Sequence, residues 1–182
     1  MLILASSSPR RRELLAQAGL TFDVYAADID ESHRPDELAP AYVQRLALEK
    51  AQAIHARFPK ATVLGADTTV ALDGEIFNKP TDPADAERML RLLSDRTHQV
   101  YTGVAVVTAT TQRVHVEATH VTFANIDEKD LARYVASREP LGKAGAYGIQ
   151  GFAARWIPRI EGDYFNVVGL PIAATMRLLA RV

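Results

Sequence analysis

The stretch Ala61-Thr-Val-Leu-Gly-Ala-Asp-Thr-Thr-Val-Ala-Leu72 is followed directly by Asp73-Gly74. Valine, threonine and leucine dominate the stretch, which is typical of a β-strand with buried faces. An Asp-Gly pair after such a run is a strong hairpin signal. The sequence therefore predicts a long strand that turns back on itself and carries one carboxylate, Asp67, inside its apolar run.

Helical and extended patterns alternate before this strand, and long extended runs follow one another after it. The other predicted strands are residues 2–5, 21–26, 98–108 and 114–123, with a hairpin over 155–168. Helices are predicted after Ser8-Pro9, from Pro40 to about Arg57, from Asp82-Pro83, from about Glu128 to Ala136, and from Pro171. This order predicts an α/β fold with a mixed sheet rather than a strictly doubly wound one. No repeat or clear linker interrupts residues 1–182, so we expect a single domain.

Composition excludes several functional classes. The chain has 21 basic and 22 acidic side chains and a formal net charge of -1, whereas a general nucleic-acid binder usually carries a basic excess. The absence of cysteine excludes disulfides and thiolate chemistry and fits a reducing compartment. No apolar stretch approaches the roughly 20 residues that span a bilayer, and the first apolar run is too short for a signal peptide. We therefore expect a cytoplasmic protein with neither a nucleic-acid nor a membrane partner.

The segment Ser6-Ser7-Ser8-Pro9-Arg10-Arg11-Arg12 joins a predicted strand to a predicted helix. Ser8 suits the N-cap, Pro9 suits the first helical position, and the free N–H groups of such a helix start favour an anion. Three arginines in the first turn oppose the helix dipole, and a bound anion would offset that repulsion. Successive helical residues point about 100° apart, so the three cannot all face one ligand. The alternative is a solvated basic turn.

Carboxylates and lysines supply further candidates. Asp67 is costly to bury unless it is paired, bound to a metal or facing a cleft, although an aspartate that caps a turn is the common alternative. The loop that carries Asp28, Asp30 and Glu31 suits Mg²⁺, or is simply a solvated acidic loop. Lys50 lies in an amphipathic helix, where exposure at the surface is the default expectation. Lys79 precedes Pro80 in a loop, where a contact with phosphate is one interpretation.

The segment Gly142-Lys-Ala-Gly-Ala-Tyr-Gly-Ile-Gln-Gly151 is the last candidate. Its four glycines permit sharp turns, Tyr147 offers a stacking or packing surface, and Gln150 offers a donor and an acceptor on one amide. It is either a base-recognition loop or a tight connection. Walker-type phosphate loops, dinucleotide fingerprints, zinc-binding histidine spacing and nucleophile elbows are absent from the sequence.

Taken together, these segments resemble the Maf family of nucleoside triphosphate pyrophosphatases. The matching stretches, in family order, are Leu4-Ala-Ser-Ser-Ser-Pro-Arg-Arg-Arg-Glu-Leu-Leu15, Ala47-Leu-Glu-Lys-Ala51, Leu64-Gly-Ala-Asp-Thr68, Lys79-Pro80, Lys143-Ala-Gly-Ala-Tyr-Gly-Ile-Gln-Gly151 and Val168-Gly-Leu-Pro171. The resemblance implies an elongated α/β fold of two lobes with a deep cleft between them, a homodimer, and hydrolysis between the α and β phosphates with Mg²⁺ or Mn²⁺.

The resemblance also implies roles for individual residues. Asp67 matches the proposed general base, although a role as metal ligand stays open, and Glu31 matches an acidic position near the metal. The positions that hold phosphates or shape the charged pocket match Ser8, Arg11, Lys50 and Lys79.

Three further positions imply the subtype. With Arg10, Thr68 and Gln150 at these positions, the sequence resembles the dTTP/UTP pyrophosphatases rather than the sister group that acts on 7-methyl-GTP. Ser7 stands where glycine is common in the family, and Arg12 where glutamine can occur. The alternatives are a 7-methyl-GTP-type or broad house-cleaning pyrophosphatase, and a nucleotide-binding regulator of cell division with little turnover.

Overall fold

The structure is a computed structural model that describes residues 1–182, and its centre is one mixed sheet of seven strands. The strands are β1 (Leu2–Ala5), β2 (Asp23–Val24), β3 (Thr62–Leu72), β4 (Glu75–Phe77), β5 (Thr97–Val107), β6 (Gln112–Thr122) and β7 (Arg159–Glu161). Their order is β2-β1-β3-β5-β6-β7, with β4 paired to β3. β1 runs parallel to β2 and β3, and all other pairs are antiparallel. The predicted mixed α/β sheet is therefore confirmed.

Six α-helices surround the sheet. They are α1 (Pro9–Gln17), α2 (Ala39–Arg57), α3 (Pro83–Leu93), α4 (Glu128–Ala136), α5 (Tyr164–Val168) and α6 (Ile172–Leu179). Short 3₁₀ segments cover Ala144–Ala146 and Phe152–Trp156. None of the helices combines the length and the apolar character that crossing a membrane would require.

The sheet is buried on both faces, as alternate residues of its strands show. Ile3, Val63 and Ala105 belong to a cluster of 9 buried residues that also includes Ala47, Ala51 and Ile54 of α2. Their strand neighbours Leu4, Leu64 and Val106 belong to the main core of 27 buried residues, which includes side chains of α1, α3 and α4. Side chains next to each other along β3 therefore face different helices, because successive residues of a strand point to opposite faces.

The hairpin after the central strand forms as predicted. Asp73 and Gly74 join β3 to β4 with φ angles of 52° and 85°. Both angles are in the left-handed region that such turns require, which glycine and aspartate tolerate best. The predicted capping of α3 is also present, since the Asp82 carboxylate accepts a hydrogen bond from the Asp85 amide at 2.8 Å.

Two predictions of extended structure are wrong in whole or in part. The strand predicted over 21–26 contains only Asp23–Val24. The hairpin predicted over 155–168 does not form, because only Arg159–Glu161 pairs with β6 and Tyr164–Val168 is helical. The Asp163 carboxylate accepts a hydrogen bond from the Asn166 amide at 3.0 Å and caps α5. A capped helix start and a hairpin turn use the same residue types, so the pattern alone did not separate them.

Candidate active site

One cleft of about 250 Å³ brings the predicted site residues together. It opens between the loop after β1, the first turn of α1, the end of α5 and the glycine-rich loop, with β3 at its base. All nine residues to which the family resemblance assigns a role line it, namely Ser8, Arg10, Arg11, Glu31, Lys50, Asp67, Thr68, Lys79 and Gln150. Asp28 and Asp30 do not, and the exposed Asp30 instead accepts a hydrogen bond from the Ser32 amide at 2.9 Å.

Asp67 and Lys50 form a buried ion pair at the base of the cleft. Lys50 Nζ lies 2.6 Å from Asp67 Oδ1 and 2.8 Å from Glu31 Oε1, and each residue of the Asp67–Lys50 pair is 8% exposed. Asp67 Oδ2 has no hydrogen-bond donor from the protein. A carboxylate as buried as Asp67 needs a cationic partner such as Lys50, because an isolated buried charge is strongly unfavourable.

The expectation that Lys50 is exposed is wrong. Its position continues the buried stripe of α2 formed by Val43, Ala47, Ala51 and Ile54, which packs on β3 and β5. A lysine in such a stripe needs a buried acidic partner. Helical periodicity alone could have shown from the sequence that Lys50 lies in this stripe.

Glu31 reaches the same lysine from the acidic loop. Burial by itself would raise its pKa, but the hydrogen bond from Lys50 and the charges of Lys50, Lys79 and Arg11 outweigh burial and hold the pKa of Glu31 below its ordinary value. Glu31 is therefore a carboxylate at neutral pH and can bind a cation. Tyr42 donates a hydrogen bond from its hydroxyl to the Glu31 carbonyl at 2.9 Å, which ties the acidic loop to α2.

Arg11 donates most of its hydrogen bonds to other groups of the protein. Its Nε donates to the Gly169 carbonyl at 2.8 Å, its Nη1 to the Ala66 carbonyl at 2.9 Å and to Ser6 Oγ at 3.1 Å, and its Nη2 to Thr68 Oγ1 at 2.9 Å. A guanidinium has five N–H groups, so one remains for a ligand. Burial lowers the pKa of Arg11, although the charge of Asp67 opposes the effect. Arg11 thus joins α1, β3 and the segment after α5 as well as adding positive charge.

The first turn of α1 differs from the prediction in one respect. Ser8 occupies the N-cap position, but its side chain makes no capping hydrogen bond, and its amide instead donates to Ser6 Oγ at 3.2 Å. The three arginines occupy different environments, as the helical angle requires: Arg11 is buried, Arg12 is exposed, and Arg10 is half-buried on the cleft wall. Burial lowers the pKa of Arg10.

The glycine-rich loop forms the opposite wall. Tyr147 packs inward, with its hydroxyl 2.8 Å from His98 Nε2, whereas Gln150 is exposed at the cleft and has no hydrogen bond within the protein. Lys143 also lines the cleft and was not selected from the sequence, although it stands inside the glycine-rich motif. Burial and the neighbouring Arg10 lower its pKa.

The charges of the cleft suit a polyphosphate. Arg10, Arg11, Lys50, Lys79 and Lys143 line it, against only two carboxylates. Lys79 is exposed and makes no ion pair, so its ammonium is available to a ligand. No set of three or more histidine or acidic side chains is placed to hold a metal alone. Asp67 and Glu31 nevertheless fit Mg²⁺, which commonly binds one or two carboxylates together with phosphate oxygens and water.

Comparison with known proteins finds a matching family model and similar proteins. The family model described as Maf-like protein matches residues 1–182. A dTTP/UTP pyrophosphatase of Koribacter versatilis is 51% identical over 180 residues, which cover 99% of this chain and 93% of the relative. One of Symbiobacterium thermophilum is 53% identical over 181 residues, which cover 99% and 93%. Among solved structures, the Ham1 protein of Staphylococcus aureus matches with a TM-score of 0.45 and 18% identity, over 68% of this chain and 71% of that chain.

Proposed function

Because the chain belongs to the Maf family, we propose that it is a nucleoside triphosphate diphosphatase that hydrolyses dTTP and UTP to the monophosphate and pyrophosphate. One observation carries the proposal beyond the relatives' names. A buried carboxylate, Asp67, lies at the base of a cationic cleft with one oxygen held by Lys50 and the other free. That arrangement suits attack by water on a polyphosphate.

In the proposed reaction Asp67 is the general base. Lys50 fixes Oδ1, and Oδ2 accepts a proton from the attacking water. The water oxygen bonds to the α-phosphorus, the bond from that phosphorus to the α–β bridging oxygen breaks, and pyrophosphate leaves with the electron pair. Lys79, Arg10 and the remaining N–H of Arg11 offset the phosphate charge, so positioning and charge stabilisation supply most of the acceleration.

Asp67 and Glu31 are the residues that would hold Mg²⁺ or Mn²⁺. Bound there, the ion would neutralise phosphate charge and orient the triphosphate. Lys50 would then hold the two carboxylates in place, since its side-chain nitrogen contacts both of them. In the competing assignment Asp67 is only a metal ligand and another residue is the base.

The proposed subtype rests on three side chains. Gln150 presents an unpaired amide to the cleft, and one amide complements the donor and acceptor edge that uracil and thymine share. Arg10 lies on the same cleft. Thr68 contributes through Arg11, because its hydroxyl accepts from Arg11 and lies 2.9 Å from Thr102 Oγ1. Ser8 completes the proposed phosphate contacts at the start of α1.

The proposal also includes a homodimer, implied by the family resemblance, and a cytoplasmic location, which the lack of cysteine fits.

The test is pyrophosphate release from dTTP, UTP, CTP, GTP and 7-methyl-GTP with Mg²⁺ or Mn²⁺. We expect metal-dependent release from dTTP and UTP, and a fall in kcat of about 10²–10⁴-fold in Asp67→Asn, the usual range for loss of a general base. Asp30→Asn is the matched control, because Asp30 lies in the same acidic loop as Glu31 but outside the cleft. It should keep wild-type activity.

Two other outcomes would replace the proposal. Preference for 7-methyl-GTP would refute the interpretation of Arg10, Thr68 and Gln150 while leaving the reaction class intact. Nucleotide binding by folded protein without turnover would favour the regulator of cell division.

A further inference from the structure

A half-buried asparagine outside the proposed catalytic set connects the segments that carry it. Asn78 lies between β4 and Lys79. Its side-chain Oδ1 accepts a hydrogen bond from Thr69 Oγ1 at 2.8 Å, and its Nδ2 donates to the Tyr42 hydroxyl at 3.1 Å. Its backbone carbonyl accepts from the Gly145 amide at 3.2 Å. Each of these three partners belongs to a different segment around the cleft.

The contact with Thr69 follows from strand register. β3 and β4 are antiparallel with Val70 opposite Phe77, so the same register carried one residue further brings Asn78 opposite Thr69. Thr69 is fully buried and lies two residues after Asp67, on the same face of β3. The amide of Asn78 is therefore fixed to the strand that carries the catalytic carboxylate.

The contact with Tyr42 extends the connection to the acidic loop. The Tyr42 hydroxyl accepts from Asn78 and donates to the Glu31 carbonyl. Glu31, Asp67 and Lys79 also line a second, smaller opening together with Tyr42, Thr68 and Asn78.

We propose that Asn78 is a positioning residue that fixes Lys79 relative to Asp67 and Glu31, so that the lysine meets the phosphates of the substrate. Lys79 is exposed and has no ion pair that would hold its side chain, so the position of its ammonium depends on where the backbone places the residue. Asn78 precedes it directly and supplies hydrogen bonds to β3, to α2 and to the glycine-rich loop. The inference deepens the proposed function and rests on it.

The test is a double-mutant cycle of Asn78→Ala and Lys79→Met, read as kcat/KM for UTP. We expect Asn78→Ala to lower kcat/KM about tenfold and Lys79→Met to lower it further. In the double variant the loss should equal that of Lys79→Met alone, because Asn78 acts through the lysine. Tyr42→Phe and Thr69→Val each remove one hydroxyl partner of Asn78, and they should each produce a smaller loss of the same kind.

A purely structural role predicts a different pattern. It would lower the melting temperature of Asn78→Ala in the presence and absence of Lys79 and leave kcat/KM of the folded protein unchanged. That result, or losses that multiply in the double variant, would overturn the inference. Lys60→Met, an exposed lysine outside the cleft, is the control for removal of a positive charge.

The same cycle is measured in parallel as the affinity for α,β-imido-dUTP by calorimetry. If the wild-type protein binds this analogue but does not hydrolyse UTP, the proposed function fails while the positioning of Lys79 is still tested by binding. Equal affinities of wild type and Asn78→Ala would then refute the inference.

Discussion

His98 is fully buried in β5, where its ring packs edge-on against Phe123 with centroids 5.0 Å apart. Its Nε2 lies near the Tyr147 hydroxyl and its Nδ1 has no partner. Burial lowers the pKa of His98 to about 3 from the ordinary 6.5. The folded state therefore keeps the ring neutral at pH values where the unfolded chain binds a proton.

This difference makes folding stability dependent on pH. The folded-state pKa is below the unfolded value, so the unfolded state takes up the extra proton and stability falls as pH decreases from about 6.5 towards about 3. The expected slope is about 1.4 kcal/mol per pH unit within that window. We expect urea unfolding of His98→Gln to lack this component, whereas His120→Gln, an exposed histidine on β6, should retain it. Identical slopes in wild type and His98→Gln would contradict the prediction.

Individual residues were predictable where a motif assigned them and less so where packing decides. The family motifs selected Lys50, whereas its helix suggested exposure by default. The apolar spacing of α2 does place Lys50 on the buried stripe, but the helix alone does not show which acidic residue faces it. Arg11 was expected to bind phosphate, and the structure adds four hydrogen bonds to the protein, one of them to the Gly169 carbonyl 158 residues away. Such contacts depend on tertiary structure and leave no local pattern.

At the scale of elements, two glycines set the distance between α2 and the sheet. A Cβ atom on Gly65 would lie 2.2 Å from the Ala47 carbonyl, and one on Gly103 would lie 2.2 Å from the Val43 carbonyl. Both obstructing atoms belong to the backbone of α2, so they cannot rotate away. Gly103 is also paired with Asp67 across β3 and β5. This close approach is what lets Lys50 on α2 reach Asp67.

We expect Gly103→Ala to push α2 outwards and to destabilise the protein by about 1–3 kcal/mol, the usual cost of overpacking. It should also lower kcat, because the Lys50–Asp67 contact lengthens. The matched control is Gly148→Ala, where the new Cβ would meet only the flexible end of Lys143 at 3.1 Å. Urea unfolding should show Gly148→Ala within about 0.5 kcal/mol of wild type. A Gly103→Ala protein as stable as wild type would refute this account of α2.

Elements with strong periodicity or punctuation were predicted well. The Asp-Gly turn, the Asp82-Pro83 helix start and the long strands all depend on local chemistry, and they are confirmed. The region 155–168 was not, because an aspartate such as Asp163 suits either a turn or a helix cap. The helix α5 packs against β5 and β6, and those tertiary contacts have no local sequence signal.

At the scale of the whole molecule, charge is distributed unevenly. The chain carries a net charge of -1, yet five cationic and two anionic side chains line the cleft, an excess of three positive charges. Composition suggested only that any attraction for an anion must be local. The mixed sheet was predictable from the order of the elements. The family motifs, however, were needed to predict that one cleft is formed by the loop after β1, α2, β3 and the glycine-rich loop. Residues that far apart in sequence share no periodic signal.

This local excess makes substrate capture sensitive to salt. Raising NaCl from about 50 mM to about 0.5 M shortens the screening length severalfold, so we expect KM for UTP to rise about threefold or more. The change in kcat should be small, because buried pairs such as Lys50–Asp67 are screened much less. Steady-state kinetics at saturating Mg²⁺ measure both constants. Lys79→Gln should show a shallower dependence of KM on salt, whereas Lys60→Gln, outside the cleft, should match wild type. If all three proteins respond alike, the salt effect arises from the bulk solution, and the cleft charges do not steer the triphosphate.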